Sequence, residues 1–462
     1  MGRGSDVVVI GAGNAGLVAA LSAREAGAEV LVLEAAPRSE RGGNSRFSMA
    51  NVRVAHGGMD DLAALVAGDP PAGSSCEPYP AERYVSDVEG AAAAARIDHR
   101  VASLLAESSY ETVAWMRDQG VRWELKVDAA GEVVPHAALR GLGGGPALTD
   151  SLFAAAESAG VEVWYEAPAD ELVMEDGAVR GVRVARTAGA VEVRGAVVLA
   201  SGGFEASPER RVRYLGAGWR DVRVRGSRFN TGVMLDRAVE AGAARHGHMG
   251  AASVAVVDAD APAVGDLDGA VAADDYDRHS YAHGILVNRH GRRFVDEAEA
   301  VEVVARAIVE TGDVAFQIFD RAGQDRLDPR YARARAVERA GLRELAEALS
   351  SDAGALEQTV SVYNAAAAFG AAQPLDRAPF AAYAVAAGIT FTYGGLRVDG
   401  QANVLDVRGE PIPGLYAAGE IVGGLYHDRY PLGSGLVRGA VFGRIAGRHA
   451  AATGRALEAT AR

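Results

Sequence analysis

The chain opens on a short apolar run, Asp6 to Ile10, whose unbroken hydrophobic character predicts a strand buried on both faces. A glycine-rich turn follows, Gly11-Ala12-Gly13-Asn14-Ala15-Gly16, and a helical pattern then runs from Leu17 to Ala26 until Gly27 stops it. Glu29 to Leu33 reads as a second buried strand closing at Glu34. The first segment is thus strand, turn, helix, strand. Alanine-rich helix is expected at Ala91 to Ala95 and on to the stop at Gly120, and a further helix, Ala147 to Ala159, after Gly143-Gly144-Gly145-Pro146. Val161 to Tyr165, Glu171 to Met174, Val179 to Ala185, Val191 to Val193 and Ala196 to Ala200 read as strands, the last ending in Ser201-Gly202-Gly203. Such alternation predicts an α/β layer architecture.

From about residue 237 to 378 the texture changes to polar loops (Asp258 to Asp277), a strand Gly284 to Asn288 and helices Val301 to Glu310, Leu342 to Leu349 and Leu356 to Ala368. The pattern then returns to a strand, Leu415 to Ala418, and a closing helix, Gly435 to Ala452. The expected organisation is a domain in two parts, 1–236 and 379–462, with a second domain, 237–378, inserted between them.

Composition narrows the chemistry. The 462 residues, 49% hydrophobic and 23% charged, describe a globular chain with room for two or three domains. Its net charge of −14 would repel a polyphosphate, so no nucleic-acid partner is expected. A single cysteine, Cys76, excludes an internal disulfide and a cysteine-held iron–sulfur cluster, and the one lysine, Lys126, lies outside any P-loop spacing. No uncharged apolar run is long enough to span a bilayer, and the first strand starts too soon after Met1 for a signal peptide, so the expected location is cytoplasmic without stable membrane insertion.

The turn at Gly11, Gly13 and Gly16 has the spacing of a dinucleotide fingerprint in the right setting, after a strand and opening a helix. Gly11 allows a tight turn, Gly13 lets the backbone approach a pyrophosphate, and Gly16 lets helix and strand pack closely, while Glu34 would accept hydrogen bonds from a ribose. Arg41-Gly42-Gly43-Asn44-Ser45 is a second glycine-rich turn, which on its own residues is equally a surface loop or a place for an extended dinucleotide. At the other end, Leu432-Gly433-Ser434-Gly435 opens the last helix, where backbone N–H groups and the dipole favour an anion or where Ser434 simply caps the helix. His246-Gly247-His248 mimics a metal pair, but no third ligand is recognisable, so no metal is expected.

Together with Ile285-Leu286-Val287-Asn288 through Gly291-Arg292-Arg293-Phe294-Val295-Asp296-Glu297, and with Gly414-Leu415-Tyr416-Ala417-Ala418-Gly419-Glu420, these motifs resemble the flavoprotein family of fumarate reductases, succinate dehydrogenase flavoprotein subunits and 3-ketosteroid dehydrogenases, most closely its tricarballylate dehydrogenase branch. The resemblance implies a glutathione-reductase-like, Rossmann-type FAD-binding domain with an inserted α+β capping domain. It assigns cofactor contacts to Gly11, Gly13, Asn14, Ala15, Gly16, Glu34, Ala35, Arg41, Gly42, Gly43, Asn44, Ser45, Ser201, Gly202, Gly419, Glu420, Ser434, Gly435 and Leu436. Arg46 would face either flavin or substrate. No histidine falls between Arg41 and Ser48, so the FAD is expected to be non-covalent.

Oxidising or reducing a C–C bond beside a carbonyl needs a donor on the acyl oxygen, an acid/base and a hydride partner. Tyr430 stands about where fumarate reductases carry an arginine, with His427 and Arg429 beside it; Arg278 and Tyr281 match a substrate-contacting stretch of the tricarballylate branch. The chain departs from fumarate reductases at Thr390-Phe391, where they carry a histidine pair, and at Ala298 to Val301, where their proton-donating arginine is missing. Val233 replaces an acidic flavin contact, and the apolar Ala298 to Ile308 replaces a polar stretch of the tricarballylate branch. The expected function is FAD-dependent dehydrogenation or reduction of a CH–CH or C=C bond next to a carbonyl or carboxylate, on a small carboxylate or enone, with an external electron acceptor in reserve. The alternatives are a flavin oxidase or monooxygenase and a non-catalytic flavin electron-transfer subunit.

Overall fold

In the computed structural model, residues 3–92, 96–127, 132–186, 189–265, 273–312, 314–367 and 373–461 are described. The expected Ala91 to Ala95 helix, the Asp258 to Asp277 loop and the end of the Leu356 to Ala368 helix lie partly outside them. The chain divides into two compact units: Met1–Arg210 with Ser227–Ala252 and Phe391–Arg462, and Arg211–Gly226 with Ser253–Thr390.

The first unit is built on an eight-stranded sheet whose main path runs Asn403–Leu405, Pro411–Ala417, Val191–Leu199, Arg3–Ile10, Val30–Leu33, Glu162–Trp164. The four strands at its centre are parallel: Val7 pairs Val30 on one side and Ala196 on the other, and Leu415 pairs Val197. Val7, Val8, Val9, Val197, Val198 and Leu199 are fully buried, as continuous apolar runs in a parallel sheet covered on both faces must be. Val191–Leu199 is one strand, although Arg194-Gly195 divides its apolar pattern.

Helix Asn14–Glu25 packs on the closing helix, Ser434–Ala461, which runs nine residues beyond the expected end at Ala452. Glycines set the separation of these two helices. A Cβ on Gly443 would lie 2.6 Å from the Ala15 carbonyl oxygen and one on Gly447 2.1 Å from that of Ala19. Backbones this close tolerate no side chain between them, and the contact joins the two ends of the chain into one layer.

The second unit has a six-stranded mixed sheet around Phe380–Thr392, which takes Arg223–Val224 in parallel and Ala315–Phe319 and Ala336–Arg339 antiparallel, with Ile285–Val287 at an edge. Helices Leu342–Ala348 and Ala353–Ala367 supply apolar residues to a core with Ile285, Ile318, Leu356 and Phe380, so this unit is α+β and inserted in sequence within the first. Its limits differ from the expected 237–378. Arg211–Gly226 joins it because Arg223 and Val224 pair with Gly388 and Ile389, whereas residues up to Ala252 stay with the first unit, where Arg245 and His246 pair with Leu396 and Gly395.

Candidate functional site

The glycines of the first turn have different reasons to be glycine. Gly11 sits at φ +99°, and a Cβ on it would lie 2.5 Å from the Ala200 carbonyl oxygen; one on Gly16 would lie 1.9 Å from the oxygen of Gly11. Both are dictated by packing. Gly13 has an ordinary φ of −75°, and a Cβ there would meet nothing closer than Gly42 O at 3.5 Å and Ser45 Oγ at 3.6 Å. The protein does not itself require glycine at this helix start, and a phosphate drawn to the backbone does.

Around that opening the other turns converge. The backbone N–H of Asn14 donates to Ser45 Oγ at 3.1 Å, and Asn14 Nδ2 donates to the Leu436 carbonyl at 2.8 Å, leaving Asn14 Oδ1 buried without a partner. Gly42 and Gly43 take φ +107° and +54°, conformations that favour glycine. Gly419, at φ +82°, rests against Ala15. The Glu34 carboxylate, 5% exposed, accepts from the N–H groups of Ala12 and Ala36, both at 2.9 Å. Burial pushes its pKa up, and the N–H groups of Ala36, Ala12 and Ala35 oppose the rise. Each carboxylate oxygen keeps a further lone pair for a ribose hydroxyl. Bare backbone at Gly13, an acceptor at Glu34 and an orphaned amide oxygen at Asn14 fit a dinucleotide.

Arg41 donates to Tyr165 Oη at 3.1 Å and covers the Phe153 ring at 4.0 Å, and Arg46 pairs with Asp150 at 3.0 Å. Both guanidinium groups are thereby engaged by protein, which accounts for them without a ligand.

Beneath the Ser201-Gly202-Gly203 turn lies a group that sequence reasoning missed. Glu205 is 0% exposed, and its Oε1 accepts from Asn44 Nδ2 and Asn230 Nδ2, both at 2.7 Å. Close beside it is the carboxyl of Glu420, whose Oε1 accepts from the Thr392 N–H at 2.8 Å and hydroxyl at 3.1 Å. Burial raises both carboxyl pKa values, and each acid's presence beside the other adds to the rise at Glu205. The one available sequence signal was an acid placed directly after the apolar Gly203-Phe204.

At the start of the closing helix, Tyr430 Oη accepts from the Gly435 N–H at 3.0 Å. Its ring meets Phe391 edge-on at 4.9 Å and Tyr426 at 5.3 Å, and burial raises its pKa against the N–H groups of Gly435 and Gly433. Gly435 N–H is thus already used, which corrects the expectation of a wholly free anion-binding helix end. Ser434 does not cap the helix either: its Oγ donates to the Pro431 carbonyl at 2.6 Å and is joined to Tyr426 Oη at 2.7 Å. Arg53, unremarked in the sequence, buries its charge beside this loop, donating to Leu432 O, Tyr79 Oη and Asp87 Oδ2 at 3.2, 2.5 and 2.8 Å. Tyr84 is fully buried and its hydroxyl has no partner.

His427 bonds Asp428 through Nδ1 at 2.7 Å and stacks on His248 at 4.2 Å; Arg429 is exposed. His248, His427 and Asp428 bring three ligand-type atoms within 4.8 Å of one another, a grouping in which His427 and Asp428 stand in place of the His246 that the sequence pairs with His248. The Arg96 guanidinium lies 3.4 Å from Nε2 of His427, so both ring nitrogens are engaged and a cation there would face a positive charge. His246 points instead to Asp98, at 3.4 Å.

In the second unit, Arg278 is 1% exposed and spends four of its five N–H bonds inside the protein, through Nε and Nη2 on Asp258 and through Nη1 on the carbonyls of Asp275 and Asp277. The expectation of a substrate-binding fork is corrected accordingly: Arg278 is an internal strut. Tyr281 is 7% exposed, its ring edge-on to His279 at 6.4 Å.

Comparison with known proteins agrees with this geometry. Residues 6–437 match the family described as an FAD binding domain. A probable fumarate reductase of Shewanella frigidimarina is 30% identical over 97% of this chain and 75% of its own. Among solved structures, the open conformation of a flavocytochrome c3 fumarate reductase superposes with a TM-score of 0.79 at 27% identity, covering 98% of this chain and 79% of the other. A 3-ketosteroid-Δ4-(5α)-dehydrogenase from Rhodococcus jostii, solved with 4-androstene-3,17-dione, gives 0.72 at 27%, covering 97% of both chains.

Proposed function

The chain belongs to the FAD-dependent family of fumarate reductases and succinate dehydrogenase flavoproteins, and from that premise we propose that it transfers hydride between FAD and a C–C bond adjacent to a carbonyl, with Tyr430 as the group that polarises the carbonyl oxygen. The observation that carries this reading is the bond from the Gly435 N–H to Tyr430 Oη. Because the phenolic oxygen is already an acceptor, its own proton is left to donate, and a helix N-terminus behind it makes it the stronger donor as negative charge gathers on the acyl oxygen.

Gly11 to Gly16, Glu34, Asn44 and the Gly202 turn would hold the dinucleotide, without a covalent bond since no histidine lies between Arg41 and Ser48. Bound FAD supplies the two-electron hydride chemistry. The aromatic wall of Phe391, Tyr426 and Tyr430 suits an apolar carbonyl compound better than a tricarboxylate, because it offers phenols where a multiply charged acid needs guanidinium groups. Dehydrogenation of a neutral ketone is therefore favoured over reduction of fumarate.

Anaerobic mixing of the yellow holoenzyme with a panel of saturated cyclic ketones, α,β-unsaturated ketones and dicarboxylates tests this. Bleaching of the flavin by a saturated ketone is expected. Bleaching by succinate alone, or by none of the panel, would overturn the substrate assignment; peroxide formed in stoichiometric amount on admitting air would favour an oxidase.

A further inference from the structure

Two carboxyl groups can hydrogen-bond to each other only if a proton lies between them, because a carboxylate has no donor of its own. Glu205 and Glu420 are both buried and face the same turn, since a Cβ built on Gly203 would lie 2.0 Å from Glu420 Oε1 and 2.8 Å from Glu205 Oε2, so the two carboxyl groups come close to each other. Oε1 of Glu205 is occupied by the amide N–H groups of Asn44 and Asn230, and Oε1 of Glu420 by the N–H and hydroxyl of Thr392. Asn44 in turn accepts from the Ser227 N–H at 2.8 Å, so the pair ties together the Gly43 turn, the 227–230 segment, Thr392 and the Gly419-Glu420 turn.

The Gly202-Gly203 turn rests directly on this knot. A Cβ on Gly203 would lie 2.0 Å from Glu420 Oε1, 2.2 Å from Thr392 Oγ1 and 2.8 Å from Glu205 Oε2, and one on Gly202 2.5 Å from Asn230 Nδ2. Turn and acid pair are packed with no room for a side chain between them. Three of the segments so joined carry residues assigned to the cofactor: Gly43 and Asn44, Ser201 and Gly202, and Gly419 and Glu420.

We propose that Glu205 and Glu420 share a single proton and form a pH-sensitive clasp on the FAD site, closed while the proton is held and opened when it is lost. Glu205 is a positioning residue here, acting on the cofactor through Asn44 and through the Gly202-Gly203 turn. Loss of the proton sets two anions against each other in a buried space, and the least costly relief is separation of the segments that carry them. Arg438, from the closing helix, favours the ionised form of Glu420, while Asn44, Asn230 and Thr392 are neutral. Burial of Glu205, and the second acid beside it, work the other way and keep the proton on the pair.

The test rests on FAD binding and reads it separately from turnover. Holoenzyme is carried from about pH 6 to about pH 10, and released FAD is measured by its fluorescence. The wild type is expected to release FAD in a single-proton transition. Glu205→Gln replaces the shared proton with a permanent amide donor, so it is expected to stay yellow through the alkaline range, with at least tenfold less FAD released. Glu420→Gln should behave alike. Release at the same midpoint in the wild type and Glu205→Gln, or no pH-dependent release by the wild type, would overturn the proposal. Should neither variant fold, the infrared carbonyl stretch of a protonated carboxylic acid in the wild type at neutral pH decides: its presence supports the shared proton and its absence refutes it. A protein that never binds FAD would instead refute the flavin reading, and the infrared band is readable without flavin.

Discussion

In the second unit, Arg278 pairs with Asp258, its carbonyl accepts from Gln317 Nε2 at 2.7 Å, Gln317 Oε1 accepts from Tyr331 Oη at 2.6 Å, and Tyr331 Oη accepts from the Ser280 N–H at 3.0 Å. Each link of that buried chain is a donor meeting an acceptor of the same protein. In the first unit, two buried acids lie side by side, Asn14 Oδ1 and the Tyr84 hydroxyl are buried without partners, and the Gly13 backbone is bare where the fold does not need it to be. Both regions are polar and buried. A network satisfied within itself stiffens a scaffold, whereas polar groups left in conflict or unpaired mark the place where a ligand or a proton completes the structure.

The sharpest way to break this contrast is at the two glycines of one turn. Gly16→Ala would push a methyl carbon to within 1.9 Å of Gly11 O, so the variant is expected to be insoluble or unfolded by circular dichroism. Gly13→Ala, with no such clash, is expected to keep its stability within about 0.5 kcal/mol and yet purify with little FAD. Equal loss of fold in both would show that Gly13 too is a packing residue.

Arg278→Met strands Asp258 as an unpaired buried charge and is expected to cost about 3–5 kcal/mol in urea unfolding, largely restored by adding Asp258→Asn. A variant of unchanged stability that no longer bleached with substrate would return Arg278 to the binding role first expected of it.

A smaller effect comes from Asp277, 6% exposed and raised to about 6 chiefly by burial, with Asp274 adding to the rise and Arg225 and Arg330 opposing it. Since the folded form holds this proton more tightly than the unfolded chain, its favourable contribution is complete below the unfolded pKa and lost as pH rises through about 6. Up to about 3 kcal/mol should disappear across that window. Asp277→Asn is expected to flatten this part of the stability profile, read as urea midpoints at intervals of pH, and an unchanged profile would contradict the assignment.

Much of the first unit was legible because its elements are local and strongly patterned: the buried run Asp6 to Ile10, the glycine turn and the Glu34 strand end all stand in the structure where the sequence places them. The strand Phe380–Thr392 went unread because its many alanines carry little β signal, and its conformation is imposed by the strands paired along it. The inclusion of Arg211–Gly226 in the second unit depends on pairing with residues more than 160 positions away, which no local pattern announces. Arg278 was misjudged for a related reason. An arginine in a polar stretch looks the same whether its partner is a ligand or an aspartate twenty residues upstream. Glu205 was hidden by the opposite circumstance: its partner, Glu420, is an acid, and no charge pattern suggests that two acids meet.

The central claim is that Tyr430 donates its proton in a hydrogen bond to the substrate oxygen, at the site where bound FAD would supply the hydride chemistry. Anaerobic stopped-flow bleaching of Tyr430→Phe against the wild type, at equal flavin content, tests it most directly. The account predicts bleaching slowed about 100-fold with the flavin spectrum before mixing and the thermal midpoint little changed; bleaching at the wild-type rate would contradict it.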